Sequence, residues 1–303
     1  PGPLESRGSL VFWGFYGHRL VNRMAVFRLP KEMFPFFRTH IYRLTTGAVH
    51  ADQRRHTVPD EAPMHYLDMD AYDSIVLNRW KNNPVYFDSI PYEYWHAHGA
   101  LPQRINRFAT NLTAAFIEKN GTSILRLAAD IGHYMSDAHV PLHTTENYDG
   151  QLTGQEGIHG LWESRLPELF ASGYDLAGEK AKYVRDTNAM VWNILQESHQ
   201  AVDSVITLEK EESMRKKGNI TAFDIRNRDV TRQYSREFAR AYHRKLNGMV
   251  ERRLAASISR TADIWYTCWV NAGQPDLSDI SVLIKKEKSL EKRVKHSRNA
   301  VHK

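Results

Sequence analysis

The chain of 303 residues is nearly without cysteine. Cys268 stands alone, so no internal disulfide can form, and any secreted life would have to be disulfide-free. No stretch approaches the roughly 18 uncharged apolar residues that a membrane span requires. Two-residue alternation is scarce, and the Asn120-Gly121 step lies between two helical patterns, so no β-hairpin is signalled there. Internal repeats and low-complexity segments are absent. Residues 1–12 lack the basic start and the run of about 7–15 apolar residues that make a complete signal peptide. They read as a leader, or as the remnant of one, ahead of Trp13.

What the chain does have is apolar material and a localised charge. Hydrophobic residues make up 42% and aromatics 11%, enough for a sizeable core and too much for a largely disordered chain. The net charge of +6 comes entirely from the last stretch, 285–303, where eight Lys and Arg face two Glu. The rest is balanced. The tail reads as a solvated charge run, with a footing on phosphate polymers or lipid headgroups as the alternative.

From residue 13 the pattern is helical. Leu20, Met24, Ala25 and Phe27 follow a 3.6-residue period, as do Ile105, Phe108, Leu112, Phe116 and Ile117, and then Ile124, Leu127, Ala128 and Ile131. Gly121-Thr122-Ser123 supplies a break and an N-cap between the last two. Further helices are predicted over about 158–170, 176–208, 222–258 and 259–270, with longer loops around 49–101 and 141–157. Trp192, Trp265 and Trp269 are expected in the core. The reading is an all-α fold in one domain, 13–284, followed by the basic tail.

The chemistry is concentrated in His133-Tyr134-Met135-Ser136-Asp137-Ala138-His139-Val140-Pro141-Leu142-His143. On a helix His133 and Asp137 share one face, one turn apart. Pro141 ends that helix and leaves His143 on a loop that can fold back. Imidazole and carboxylate in this arrangement suit zinc. Any one such pair is ordinary as a surface His–Asp contact. Here the spacing recurs in His159-Gly160-Leu161-Trp162-Glu163, reached through Gly150, Gly154 and Gly157. His65 follows Asp52 by thirteen residues, with Asp60 as a nearer alternative, and Trp13-Gly14-Phe15-Tyr16-Gly17-His18 opens the patterned chain. Four separate segments with ligand spacing make coincidence a poor explanation.

The order W-G-x-x-G-H, D with H downstream, H-x-x-x-D-x-H-x-P-L-H and H-x-x-x-E resembles the trinuclear-zinc phosphodiesterase superfamily. This holds the zinc-dependent phospholipases C and the single-strand-specific nucleases. The match runs from Trp13 to Glu163, and the resemblance implies an all-α fold and three Zn²⁺ ions. It implies Asp52, His65, His133 and Asp137 as ligands of one zinc and His143, His159 and Glu163 of a second. Trp13 (through its backbone amine and carbonyl), His18 and the bridging Asp137 would hold a third. Twelve residues precede Trp13, so the third site depends on freeing that amine. Three divalent ions against Asp52, Asp137 and Glu163 leave a cleft charge of about +3, suited to a phosphodiester and to the zinc-held hydroxide that would attack it. The resemblance also implies a secreted or periplasmic enzyme.

The substrate class divides. Glu163 resembles the phospholipases, since the nucleases carry aspartate there. The short W-G-x-x-G-H start and His65-Tyr66-Leu67-Asp68 resemble the nucleases, which stack a base on the aromatic and bind its edge with the aspartate. Arg55, three residues after the catalytic Asp52, matches a nuclease arginine that steadies the phosphate. Tyr66 as a core residue, Asp68 as a cap and Arg55 as half of a solvated pair are the plain readings. The expectation is a zinc-dependent nuclease acting on single-stranded nucleic acid, with phospholipase C as the alternative and a non-catalytic zinc-stabilised helical protein as the third reading. No protein partner is expected.

Overall fold

A computed structural model describes residues 14–216, 220–226, 229–278 and 280. Residues 1–12, Trp13 and the basic tail lie outside them. The described chain is dominated by helices, as the periodicity predicts. It begins with Gly14–Val26 (α1), Phe34–Thr39 (α2), Ile41–Gly47 (α3) and His50–Arg54 (α4). The stretch read as loop contains short elements: a 3₁₀ turn at Ala62–His65, then Ser74–Asn82 (α5), a second 3₁₀ turn at Pro84–Ser89, and Tyr92–His98 (α6). Two long helices follow, Leu101–Ile117 (α7) and Gly121–Ala138 (α8).

α8 is the axis of the molecule. It is buried on nearly every side, which marks a helix enclosed by others, and it packs against α1, α3, α7 and α14 (Met249–Asn271). Its N-cap is Asn120, whose side chain accepts from Ser123 N at 3.0 Å, one residue ahead of the predicted cap. Asn22 on α1 donates to Leu44 O at 3.1 Å and to Ala129 O at 3.0 Å, tying three helices together. Gly132 permits this approach, because a Cβ there would lie 1.7 Å from Asn22 Oδ1. The buried stripe of α1 is Gly14, Gly17, His18, Val21, Asn22, Ala25 and Val26, whereas Phe27 is 43% exposed, so the predicted stripe is displaced around the helix. Trp192, Trp265 and Trp269 are buried as expected.

After α8 come a 3₁₀ turn at Pro141–Thr144, a single helical turn at Ile158–Gly160 (α9), a π-helical turn at Leu161–Arg165, and Leu166–Phe170 (α10). The helix predicted from 176 starts only at Thr187 (α11, Thr187–Gln200), and a second helix continues over Val202–Arg215 (α12). Residues 175–184 instead run extended, because side chains of α14 take their amides: Asp263 accepts from Lys182 N at 2.8 Å and Thr267 from Val184 N at 2.9 Å. The helix predicted over 222–258 is also corrected. Thr221–Arg226 (β1) and Asp229–Tyr234 (β2) form an antiparallel hairpin with Thr221 opposite Tyr234. Only then come Arg236–Lys245 (α13) and α14, which runs unbroken across the predicted division at 258. β-Branched Thr221 and aromatic Phe223 and Tyr234 favour the strand pairing.

The core falls into two clusters. One lies around α7, α8 and α14 and includes Trp80, Trp192 and Trp265, while the other includes Val21, Trp162, Phe238 and Tyr242. Residues 134–142 pass from the first, through Tyr134 and Ala138, to the second, at Val140 and Leu142. The histidine-rich segment therefore lies on the seam.

Candidate metal centre

The last turn of α8 brings the first group together. His133 Nε2 lies 3.2 Å from Asp137 Oδ2, the one-turn contact expected of that spacing. The 3₁₀ turn ending at His65 inserts Nδ1 at 2.9 Å from His133 Nε2 and 3.0 Å from Asp137 Oδ2. Asp52, on α4, reaches both imidazoles, at 3.7 Å from His133 Nε2 and 3.9 Å from His65 Nδ1. From α1, His18 stacks on His133 with ring centroids 3.9 Å apart and sets Nε2 at 3.6 Å from Asp137 Oδ1. Two overlapping groups result, Asp52–His65–His133 and His18–His133–Asp137, each with its donor atoms within 4.8 Å of one another. Asp60 is elsewhere, held by the Tyr92 hydroxyl at 2.7 Å.

A second group forms from the loop side. His143 Nε2, on the 3₁₀ turn after Pro141, lies 3.2 Å from His159 Nε2 and 3.2 Å from Glu163 Oε2. His159 and Glu163 keep their four-residue spacing across the junction of α9 with the π turn, at 3.0 Å. A π turn inside a helix recurs at functional sites. The approach needs Gly157 at φ +95, in the left-handed region open to glycine. The two groups meet at Asp137, whose Oδ1 is 3.7 Å from His143 Nδ1.

Burial and charge decide what such a cluster can hold. His18, His65, His133, Asp137, His143, His159 and Glu163 are all enclosed. Burial pushes His18 down to about 3, with the His133 ring adding to the effect, and burial lowers His159 to about 4, so both are neutral imidazoles ready to donate a lone pair. Burial disfavours charge on His133 too, yet Asp137 and Asp52 lift it to about 9, so the carboxylates call for a cation at that point. Burial pushes Glu163 up to about 8, a cost that an adjacent cation would remove. Asp52 Oδ1, Asp137 Oδ1 and Glu163 Oε1 accept no hydrogen bond among the described residues. Enclosed carboxylate oxygens without donors are costly. The mixed nitrogen–oxygen donor set is the one Zn²⁺ takes. The residues fit the metal.

Around this centre the two consecutive arginines diverge. Arg54 turns to Asp130 at 3.1 Å and Glu61 at 3.2 Å. Arg55 is partly buried in the field of Asp52, Glu163 and Asp137, and its guanidinium is held below its usual range by burial. It is therefore no half of a solvated pair. Tyr66 is 8% exposed, its hydroxyl donating to Ala97 O at 3.2 Å, and Asp68 is 1% exposed with His98 Nδ1 at 4.0 Å. Trp13 lies outside the described residues; its neighbour Gly14 donates from N to Ser164 Oγ at 2.9 Å, beside Glu163.

Several residues at the centre escaped the sequence reading. Ala48 O accepts from His133 Nδ1 at 2.8 Å and Tyr148 O from His159 Nδ1 at 3.0 Å, orienting each ring. Backbone carbonyls leave no mark in a sequence. Glu61, four residues before His65, had the spacing to be noticed.

A family model described as S1/P1 Nuclease matches residues 13–267. Nuclease S1 of Aspergillus oryzae (strain ATCC 42149 / RIB 40) is 25% identical over 183 residues, covering 55% of this chain. The aligned part spans 59% of the length of that relative. Among solved structures, the Clostridium perfringens alpha-toxin from avian strain SWCP aligns with a TM-score of 0.49 and 13% identity, over 87% of this chain and 64% of the toxin chain. The alpha toxin of Clostridium absonum gives 0.44 and 12%, over 88% and 64%.

Proposed function

We propose that this chain, which belongs to the S1/P1 nuclease family, is a zinc-dependent hydrolase of phosphodiester bonds and acts on single-stranded nucleic acid. The observation that carries the reading is the His143–His159–Glu163 group facing the Asp137-centred group. A site of three protein ligands leaves a position open to water, whereas structural zinc sites are closed by four.

Asp52, His65, His133 and Asp137 would hold one zinc, and His143, His159 and Glu163 a second. His18 and Asp137 would contribute to a third, with Trp13 completing it where its amine is free. Bound zinc would supply a water of pKa near 7 and a Lewis acid for the phosphate. The protein's own part is positional. Asp137 joins the groups, backbone carbonyls orient the His133, His143 and His159 rings, and the enclosing helices exclude bulk water. Arg55, already drawn to the carboxylates of both groups, would engage a non-bridging phosphate oxygen as a charge-assisted donor. Tyr66 and Asp68 would form the wall next to His65 against which a base rests. A secreted or periplasmic location accords with the family, and no helix among the described residues is long and apolar enough to cross a membrane.

Glu163, a glutamate where nucleases of this kind carry aspartate, favours the second reading, a phospholipase C. Zinc-loaded protein assayed on single-stranded DNA, RNA and phosphatidylcholine separates the two. Oligonucleotide cleavage abolished by chelator is expected. Headgroup release without oligonucleotide cleavage would install the lipid reading.

A further inference from the structure

We propose that Glu61 is the positioning residue of His65: its carboxylate fixes which ring nitrogen His65 turns to the metal. Three histidines of the centre are oriented alike. His133, His143 and His159 donate Nδ1–H to backbone carbonyls, those of Ala48 at 2.8 Å, His65 at 2.7 Å and Tyr148 at 3.0 Å. Each presents Nε2 to its partners in the cluster.

His65 is turned round. Its Nδ1 meets His133 Nε2 at 2.9 Å and Asp137 Oδ2 at 3.0 Å, while its Nε2 has Glu61 Oε1 at 3.9 Å. A ring that coordinates through Nδ1 carries its proton on Nε2, and a carboxylate behind that nitrogen selects this tautomer and raises the ligand's basicity. The separation exceeds a direct hydrogen bond, so the contact is one of charge and orientation.

Glu61 is built to stay there. It is 3% exposed and immediately precedes the 3₁₀ turn Ala62–His65. Its Oε1 accepts from the Tyr134 hydroxyl and from Arg54 at 3.2 Å, and its Oε2 from Arg104 at 3.3 Å. Arg54 also bonds Asp130 at 3.1 Å. Tyr134 and Asp130 sit on α8, the helix that carries His133 and Asp137. The network thus locks the turn bearing His65 to the helix bearing the facing ligands. Arg54 and Arg104 hold the Glu61 carboxylate in place, and Asp130 in turn holds Arg54.

This inference rests on the reading of Asp52, His65 and His133 as a zinc site, and the test keeps the two apart. Full-length protein and its Glu61→Gln variant, which preserves size and hydrogen-bond acceptance, are titrated with zinc against a competing chelator. The ¹⁵N imidazole signals report the His65 tautomer. Expected is a loss of about 10–100-fold in affinity for one zinc equivalent, the others unchanged, with a mixed His65 tautomer. A metal-free melt within a few degrees of wild type separates this from misfolding. Should Glu61→Gln fail to fold, Tyr134→Phe, which releases one tether of the carboxylate, must weaken the same equivalent severalfold. Unchanged affinity in the variant that folds overturns the inference alone. A wild-type chain that takes up no zinc overturns it together with the metal reading.

Discussion

The two halves of the centre are built by different means. The Asp137 group is mounted mainly on helices: α8 supplies two side chains, α1 and α4 one each, and only His65 stands on a 3₁₀ turn, while Asn22 with Gly132 holds α1 against α8. The His143 group is mounted on turns, a 3₁₀ turn after a proline and a π turn after a left-handed glycine. Its rings are oriented by backbone carbonyls of other segments, His65 O for His143 and Tyr148 O for His159. A helix fixes ligand spacing through its own backbone hydrogen bonds, whereas a turn must borrow rigidity from what surrounds it. In the proposed reading, the half with three protein ligands is also the half whose ligands stand on turns.

Asp137→Asn tests the comparison most severely. Because this carboxylate touches both groups, the variant should lose zinc from both, and phosphodiesterase activity should fall by more than about a thousandfold. Zinc content and kcat/KM measured together check it. Loss of one equivalent only would mean that Asp137 does not join the halves.

Glu163→Gln should act on the turn-mounted half alone. Expected are one zinc equivalent fewer and a roughly hundredfold or greater loss of activity, with the melt of the remaining structure close to wild type. Release of every zinc would erase the distinction between the halves.

Arg55→Ala comes next and should leave zinc content intact. Removing a charge-assisted contact to phosphate costs about 1.5–3 kcal/mol, roughly tenfold to a hundredfold in kcat/KM. Metal loss in this variant would make Arg55 a structural partner of the carboxylates and no phosphate ligand.

The smallest effect belongs to the wall beside His65. Tyr66→Phe should cost about 0.5–1.5 kcal/mol of stability through the bond to Ala97 O, with activity nearly unchanged. Tyr66→Leu sharpens the point: loss of stacking, about 1–3 kcal/mol, should slow cleavage of an oligonucleotide but spare a small diester lacking a base. Equal losses on both substrates would reduce Tyr66 to core packing, in keeping with its burial.

How far the sequence carries differs between these regions. The His133–Asp137 pair is legible because helical periodicity translates spacing directly into proximity. His159 and Glu163 were found by the same rule although they span a π turn, since four residues still bring the side chains to one face. The hairpin at 221–234 was not legible: its strands are short, charged residues interrupt them, and no Asn-Gly-type pair separates them. The extended run at 175–184 failed for a related reason. Its amides are taken by Asp263 and Thr267, far along the chain, and no local pattern announces that.

By itself the sequence determined the helical class, the family, and the inventory of histidines and carboxylates with their spacings. All of these are local properties, set by periodicity and by residue type along the chain. Tertiary structure alone decided which ring nitrogen faces inward, that Arg54 and Arg55 part company, and that Glu61 stands behind His65. Those outcomes depend on contacts between segments distant in sequence, and only packing brings such segments within reach of one another.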